Sequence, residues 1–274
     1  MTTRVRVGGV PEHFNLPWHL AIDGGAFDDL GIEVEWVDFP GGTGAIMAAL
    51  EAGEVDLATP LTEGAITAIA NGNSSEMVSI WVDSPLLWGI HVAGGATAET
   101  ISDVVGQRFA ISRFGSGSEL MSLVLAQDEG WTLTNDSWVP VGNLDGALAA
   151  LPAGEAEVFL WNMSMTQPHV TDGTFKRVGV LPTPWPSFAV VTAGAFASDR
   201  PGLASEISVI ARRRAAELQS DAGLAQLVVD RYGLDLASAT EWAAQVEWTS
   251  PETDVDPEMI QAVTERMRSV GRIA

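Results

Sequence analysis

The chain has 274 residues, 46% of them hydrophobic and 18% charged, a balance that describes a globular protein with a sizeable core and excludes a disordered or fibrous one. Its 36 acidic residues outnumber 14 basic ones, and the resulting charge of −22 argues against nucleic acid as a partner. The absence of cysteine excludes disulfides and thiolate metal sites, and no apolar run is long enough to span a bilayer.

The N-terminus passes directly into a strand pattern, without an apolar signal region. As given, the chain therefore reads as cytoplasmic, or as periplasmic or extracellular if a leader has been removed. Val5–Val10 alternates as a strand and leads to the loop Pro11–Asn15, where Asn15 is a natural N-cap for a helix ending at Gly24-Gly25. Gly31–Val37 alternates as a second strand. Pro40–Gly44 follows, and Thr43 is placed to cap a helix through Ile46, Met47 and Leu50 to Gly53. Val55–Ala58 is a short buried strand, after which Pro60–Gly64, with Thr62 and Glu63, opens a third helix ending at Asn71-Gly72. Three successive strand-loop-helix units predict a parallel sheet.

Strands are expected at Met77–Val82 and Leu87–Val92, with a lobe boundary at Gly94-Gly95-Ala96. The second lobe repeats the theme: a strand at Arg108–Ser112, a helix to Gly130, a strand at Ser137–Val141, a helix over Leu144–Leu151 and a strand at Glu157–Leu160, closed by Trp161–Ser164. Phe175–Val180 is a further strand. Pro182–Pro186 is stiff and extended, suited to crossing between lobes. Phe188–Thr192 resumes strand character, and the remainder reads as helices over Pro201–Gln219, Gly223–Tyr232 and Ser238–Val246, with a terminal helix starting at Asp256-Pro257. No solenoid repeat is present.

Ile111–Leu125 turns a strand into a helix through a glycine-serine loop. Ser116 and Glu119 have capping-box spacing, and Gly115 and Gly117 let a ligand approach the backbone closely. The stretch is either a self-satisfied helix cap or a cradle for an anionic group. Because the cap commits Ser116 to its own helix, Ser118 and the N–H groups from Gly117 onward are the better ligand contacts. Arg113 can pair with a carboxylate, sulfonate or phosphate, or be a solvated loop arginine. Glu63 suits its helix dipole alone or recognises an amine or ring N–H. His13 is a polar ligand contact or a surface histidine, and its spacing from His19 does not suit a metal pair. Trp161 is the preferred aromatic wall, with Trp185, Trp88 and Phe14 as other candidates; Arg212-Arg213-Arg214 reads as a solvated face.

Gly25-Ala26-Phe27, Gly31–Val34, Gly41-Gly42-Thr43, Ala49–Gly53 and Val55–Ala58, with Ile101–Ile111 opening the second lobe, resemble type II solute-binding proteins, closest to the branch of sulfonate, taurine, nitrate and thiamine-precursor binders. The resemblance implies an α/β, two-lobed type II periplasmic-binding-protein-like fold with a ligand cleft between lobes and two interlobe crossings. Lobe 1 would hold residues 1–93 and 188–274, and lobe 2 residues 94–187. It maps ligand contacts onto His13, Asn15, Gly42, Thr43, Thr62 and Glu63 of the first lobe, and onto Arg113, Ser116, Gly117, Ser118, Trp161 and Asn162 of the second. The related thiamine-pyrimidine synthases use a cofactor-linked lysine and a cysteine-rich iron site; this chain has no cysteine, and its one lysine, Lys176, lies outside these loops, so that activity is not carried over and no cofactor is expected.

The expectation is a receptor for a small organic ligand, sulfonate, carboxylate or pyrimidine-like, with an ABC transporter permease or a regulatory protein as its partner. The alternatives are an enzyme on the same fold, using His13 or Glu63 as acid or base on a small cyclic metabolite, and a ligand sensor. No nucleophile-base-orienter spacing supports the enzyme.

Overall fold

The computed structural model describes residues 3–274. In chain order, the first part runs β1 (Thr3–Gly9), α1 (Leu16–Asp23), β2 (Ile32–Asp38), α2 (Gly42–Glu51), β3 (Leu57–Thr59), α3 (Thr62–Ala70) and β4 (Glu76–Val82). The second part runs β5 (Leu87–Ala93), β6 (Phe109–Ile111), α4 (Gly117–Asp128), β7 (Trp138–Pro140), α5 (Leu144–Ala153), β8 (Val158–Asn162), α6 (Met163–Thr171) and β9 (Phe175–Pro182). The chain then gives β10 (Phe188–Thr192) and five helices, α7 (Gly194–Asp199), α8 (Leu203–Gln219), α9 (Leu224–Tyr232), α10 (Leu236–Ala243) and α11 (Pro257–Ser269). Among the described residues no helix is long and apolar enough to cross a membrane.

Two compact units result: the chain up to Pro85 with Trp185–Ala274, and Leu86–Pro184. Each holds a five-stranded sheet, ordered β2-β1-β3-β10-β4 in the first and β7-β6-β8-β5-β9 in the second. The plans correspond position by position, with three parallel strands followed by an antiparallel one that is flanked on its far side by the strand from which the chain leaves that unit, β4 or β9. The antiparallel fourth strand is in each case the first one reached on crossing from the other unit, β5 after β4 and β10 after β9. This placement moves the expected boundary: β5 pairs with β8 and β9, so the chain changes unit at Pro85/Leu86 rather than after Ala93, and it returns at Pro184/Trp185 rather than before Phe188.

A short internal repeat builds the corresponding corners. Ala49–Asp56 reads ALEAGEVD and Ala150–Glu157 reads ALPAGEAE, each running from the end of a helix into a strand. Gly53 and Gly154 adopt φ of 66° and 72°, the left-handed turn that stops α2 and α5 and that glycine adopts without a Cβ clash. An arginine then clamps each corner. Arg6 donates its backbone N–H to Asp56 Oδ2 at 2.7 Å and its guanidinium to Asp56 Oδ1 and the Gly53 carbonyl, both at 2.9 Å. Arg108 makes the same three contacts, to Glu157 Oε2 at 2.9 Å, Glu157 Oε1 at 2.7 Å and the Gly154 carbonyl at 2.9 Å.

Apolar residues at helical spacing place the cores. Ile46, Met47 and Leu50 of α2 bury against β3 and β10, and Ala147 and Leu151 of α5 bury with Phe159 and Phe175. Full burial of a leucine such as Leu50 or Leu151 contributes about 2 kcal/mol. Helix α6 is absent from the sequence expectation because it carries an internal Pro168 and only Thr166 is buried, so no apolar stripe marks it. Arg212 is also not solvated: it is buried in α8 and donates to the Ser250 and Thr253 carbonyls, both at 2.8 Å, tying the chain before α11 to that helix.

Candidate functional site

In the first unit β2, β1 and β3 are parallel, so the loops that follow them lie along one edge of the sheet, the edge where α/β folds place ligands. These loops carry His13 and Asn15, Gly42 and Thr43, and Thr62 and Glu63. Their side chains do different work from that expected of caps. Asn15 makes no capping bond to α1; it is fully buried, donates Nδ2 to the Val10 carbonyl at 2.9 Å and accepts from Thr59 Oγ1 at 2.9 Å, joining the ends of β1 and β3. Gly9 permits this approach, since a Cβ there would stand 2.5 Å from Thr59 Oγ1.

Thr43 likewise does not cap α2, which starts one residue earlier at Gly42. Its hydroxyl accepts the Leu61 N–H at 3.0 Å, and its methyl occupies the space a Cβ on Gly64 would need, so Gly42 and Thr43 are gathered with Thr62 and Glu63 at the starts of α2 and α3. Gly42 takes φ of 69°, a second place where only glycine turns the chain without strain. Thr62 is the first residue of α3, and the preceding Leu61 provides no side-chain cap.

His13 is not a surface histidine. It is 1% exposed, stacks on Phe14 at 4.9 Å between centroids and meets Trp242 edge-on at 4.4 Å. Burial lowers its pKa to about 4, so the ring is neutral at neutral pH. The Phe14 carbonyl beside it accepts two indole N–H groups, from Trp81 and Trp248, both at 3.1 Å. No local pattern announces these partners, because Trp248 lies more than two hundred residues away.

Glu63 is buried, and its Oε2 accepts the Trp185 indole N–H at 2.8 Å. Desolvation raises its pKa to about 7, partly opposed by hydrogen bonds from its own backbone N–H and from Trp185.

In the second unit β7, β6 and β8 are parallel, and the loops at their ends carry Arg113, Ser116, Gly117 and Ser118 after β6 and Trp161 and Asn162 at the end of β8. Ser116 caps α4 by accepting the Glu119 N–H at 3.3 Å, whereas the Glu119 carboxylate reaches back to the Gly115 N–H at 2.5 Å rather than to Ser116 itself. The expected capping box is therefore displaced by one residue. Ser118 is turned inward: its Oγ accepts the Ser112 N–H at 3.0 Å and lies 3.0 Å from Ser116 Oγ. That leaves the N–H groups of Gly117 and Ser118, which have no acceptor within the first turn of a helix, as the open donors of the loop.

Arg113 is exposed beside them, as is Phe114 at 56%, an aromatic the sequence reading passed over. Trp161 is half-buried and stacks on Phe159 at 5.1 Å. Asn162 caps α6 by accepting the Ser164 N–H at 3.0 Å. Within this unit His91 is buried, with Nδ1 3.2 Å from the Phe159 carbonyl and Nε2 3.0 Å from Thr166 Oγ1, a structural post between β8 and α6. Since a carbonyl only accepts, Nδ1 carries the proton and Nε2 accepts from the threonine. Among the described residues no three His, Asp or Glu side chains converge as a metal site.

Solved structures share this arrangement along the whole chain. The Candida albicans CA3427 gene product, described as having the generic periplasmic binding protein fold, aligns at a TM-score of 0.89 and 24% identity over 100% of this chain and 92% of its own. The chain has the type II periplasmic-binding-protein fold. Other proteins of that fold align closely too. The alkanesulfonate-binding protein SsuA from Xanthomonas axonopodis pv. citri, bound to MOPS, gives 0.80 at 17% identity over 99% of this chain and 94% of its own. PhnD1 from Prochlorococcus marinus, in complex with methylphosphonate, gives 0.68 at 12% identity over 100% of both. A family model described as Ca3427-like PBP matches residues 88–181, a stretch that lies within the second unit. No curated protein sequence matches the chain.

Proposed function

We propose that the chain is a solute-binding receptor for a small organic ligand whose anionic group, a sulfonate, phosphonate or carboxylate, rests on the start of α4. The observation that carries this reading is the pair of open N–H groups at Gly117 and Ser118. The serine hydroxyls around them are already engaged with one another and with Ser112, so the cradle is preorganised and its backbone donors are left for the ligand. Arg113 stands beside it as the one cation of the loop that could meet a second anionic oxygen. With a formal charge of −22 the protein's overall field opposes an anion, so these local donors must supply the attraction.

Support comes from proteins of the same fold, the alkanesulfonate-binding protein solved with MOPS and PhnD1 solved with methylphosphonate. A transporter permease is the partner this reading implies, with the receptor working outside the cytoplasm. A melting-temperature screen with alkanesulfonates, alkylphosphonates, carboxylates and pyrimidines tests it. A ligand at a hundredfold its Kd adds about 2.7 kcal/mol, a rise of about 5 °C or more for a protein of this size. A flat response to every class would overturn the proposal.

A further inference from the structure

The anion reading leaves Glu63 without a purpose. Its side chain sits 1% exposed at the second position of α3, a helix of nine residues. A negative charge at a helix start is favourable on the surface, so the helix dipole alone gives no reason to bury it. A carboxylate has about four acceptor positions. Here the donors are the Trp185 indole N–H and the residue's own backbone N–H, and among the described residues no arginine or lysine forms a salt bridge with it. Next to it the Thr62 hydroxyl is fully buried and has no hydrogen-bond partner among the described residues.

Both side chains follow directly on β3, along the edge of the sheet where the parallel strands end. Thr43 fixes their approach by accepting the Leu61 N–H, and the Thr62 N–H is itself tied to the Ser187 carbonyl at 3.0 Å, so the backbone presenting them is held from two sides. We propose that Thr62 and Glu63 form a subsite for a cationic or N–H-rich group of the ligand, an ammonium, amidinium or protonated heterocycle. Such a group offers the donors that the carboxylate and the hydroxyl lack, and it brings the positive charge that offsets desolvation of Glu63. This rests on reading the chain as a small-molecule receptor, and it is independent of the anion contact at α4.

The test uses cations that carry no anionic group. Methylammonium and methylguanidinium chlorides are titrated into the whole protein against sodium chloride at equal ionic strength, with melting temperature and tryptophan fluorescence as readouts. The wild type is expected to respond to both cations over sodium, and E63Q, which keeps the side-chain volume, to lose at least about tenfold in affinity, equivalent to one pK unit of charge interaction. T62V, which removes the other proposed acceptor and keeps the side-chain shape, is expected to weaken the response to both cations and carries the test should E63Q unfold. An unresponsive wild type, or an E63Q protein that responds as the wild type does, overturns the subsite. A wild type that answers to cations but not to sulfonates overturns the anion reading alone, and the reverse pattern overturns this one alone.

Discussion

The indole N–H of Trp185 donates to Oε2 of Glu63 at 2.8 Å, so the first residue of the segment returning to the first unit holds the carboxyl at the start of α3. This bond is the main side-chain contact of a group that burial otherwise disfavours as a charge.

Its titration should be visible in stability. Burial raises Glu63 to about 7 from an ordinary 4.5, so the folded chain keeps a proton that the unfolded chain has already lost. The stability this contributes is fully present below about pH 4.5 and is lost as pH rises through about 7. E63Q removes the titration, and relative to wild type it should gain on the order of 3 kcal/mol between about pH 5 and about pH 8, read from urea midpoints. Parallel pH profiles would contradict the burial of a titrating carboxyl.

His13 acts in the opposite sense. Its pKa is lowered by burial to about 4 from 6.5, so the stability it contributes is present above about pH 6.5 and is lost as pH falls through about 4. His13→Phe keeps a ring against Phe14 and Trp242 and deletes the proton. Acid unfolding followed by circular dichroism should shift to lower pH in that variant, with His91 still titrating in the same direction in both proteins.

Much of this was legible in the sequence, and the exceptions have physical causes. Strand-loop-helix alternation located the loops that end β1, β2, β3, β6 and β8, because hydrophobic periodicity and glycine stops are local signals. The placement of β5 was not legible: Leu87–Val92 reads as the same apolar strand whichever sheet receives it, and pairing with β8 and β9 is a long-range property. Caps were misjudged where a polar side chain had a better distant partner. Asn15 bonds Thr59, 44 positions on, and Thr43 bonds the N–H of Leu61. The burial of Glu63 depends on a tryptophan 122 positions away.

The two arginine clamps should differ in strength despite their common pattern. The Asp56 side chain is 15% exposed against 34% for Glu157, so the Arg6–Asp56 pair is the less screened. Double-mutant cycles with alanine, read from denaturant midpoints, should give a coupling of about 1 kcal/mol for Arg6–Asp56 and less for Arg108–Glu157. Equal couplings would show that the shared geometry, rather than the difference in solvent screening, sets the strength of both corners.

The serines of the β6–α4 loop should matter for folding more than for binding. Ser116→Ala removes a helix cap and should cost about 1 kcal/mol of stability. Ser118→Ala strips the Ser112 N–H of its acceptor and should cost a similar amount. If ligand contacts come from the backbone, any sulfonate or phosphonate found in the screen should bind both variants within a few-fold of wild type, as measured by calorimetry.

The most direct test of the receptor reading is the affinity of Gly117→Pro for the best ligand from that screen. Gly117 is the first residue of α4, where proline is well tolerated, and the preceding Ser116 is already extended, with φ −86° and ψ 165°, as a residue before proline must be. The substitution therefore deletes one of the two open N–H donors with little change in stability. Calorimetric titration should show affinity falling by about tenfold or more, the loss of a charge-assisted hydrogen bond worth about 1.5–3 kcal/mol. A variant that melts like the wild type and binds the ligand with unchanged affinity would contradict an anion held at the start of α4.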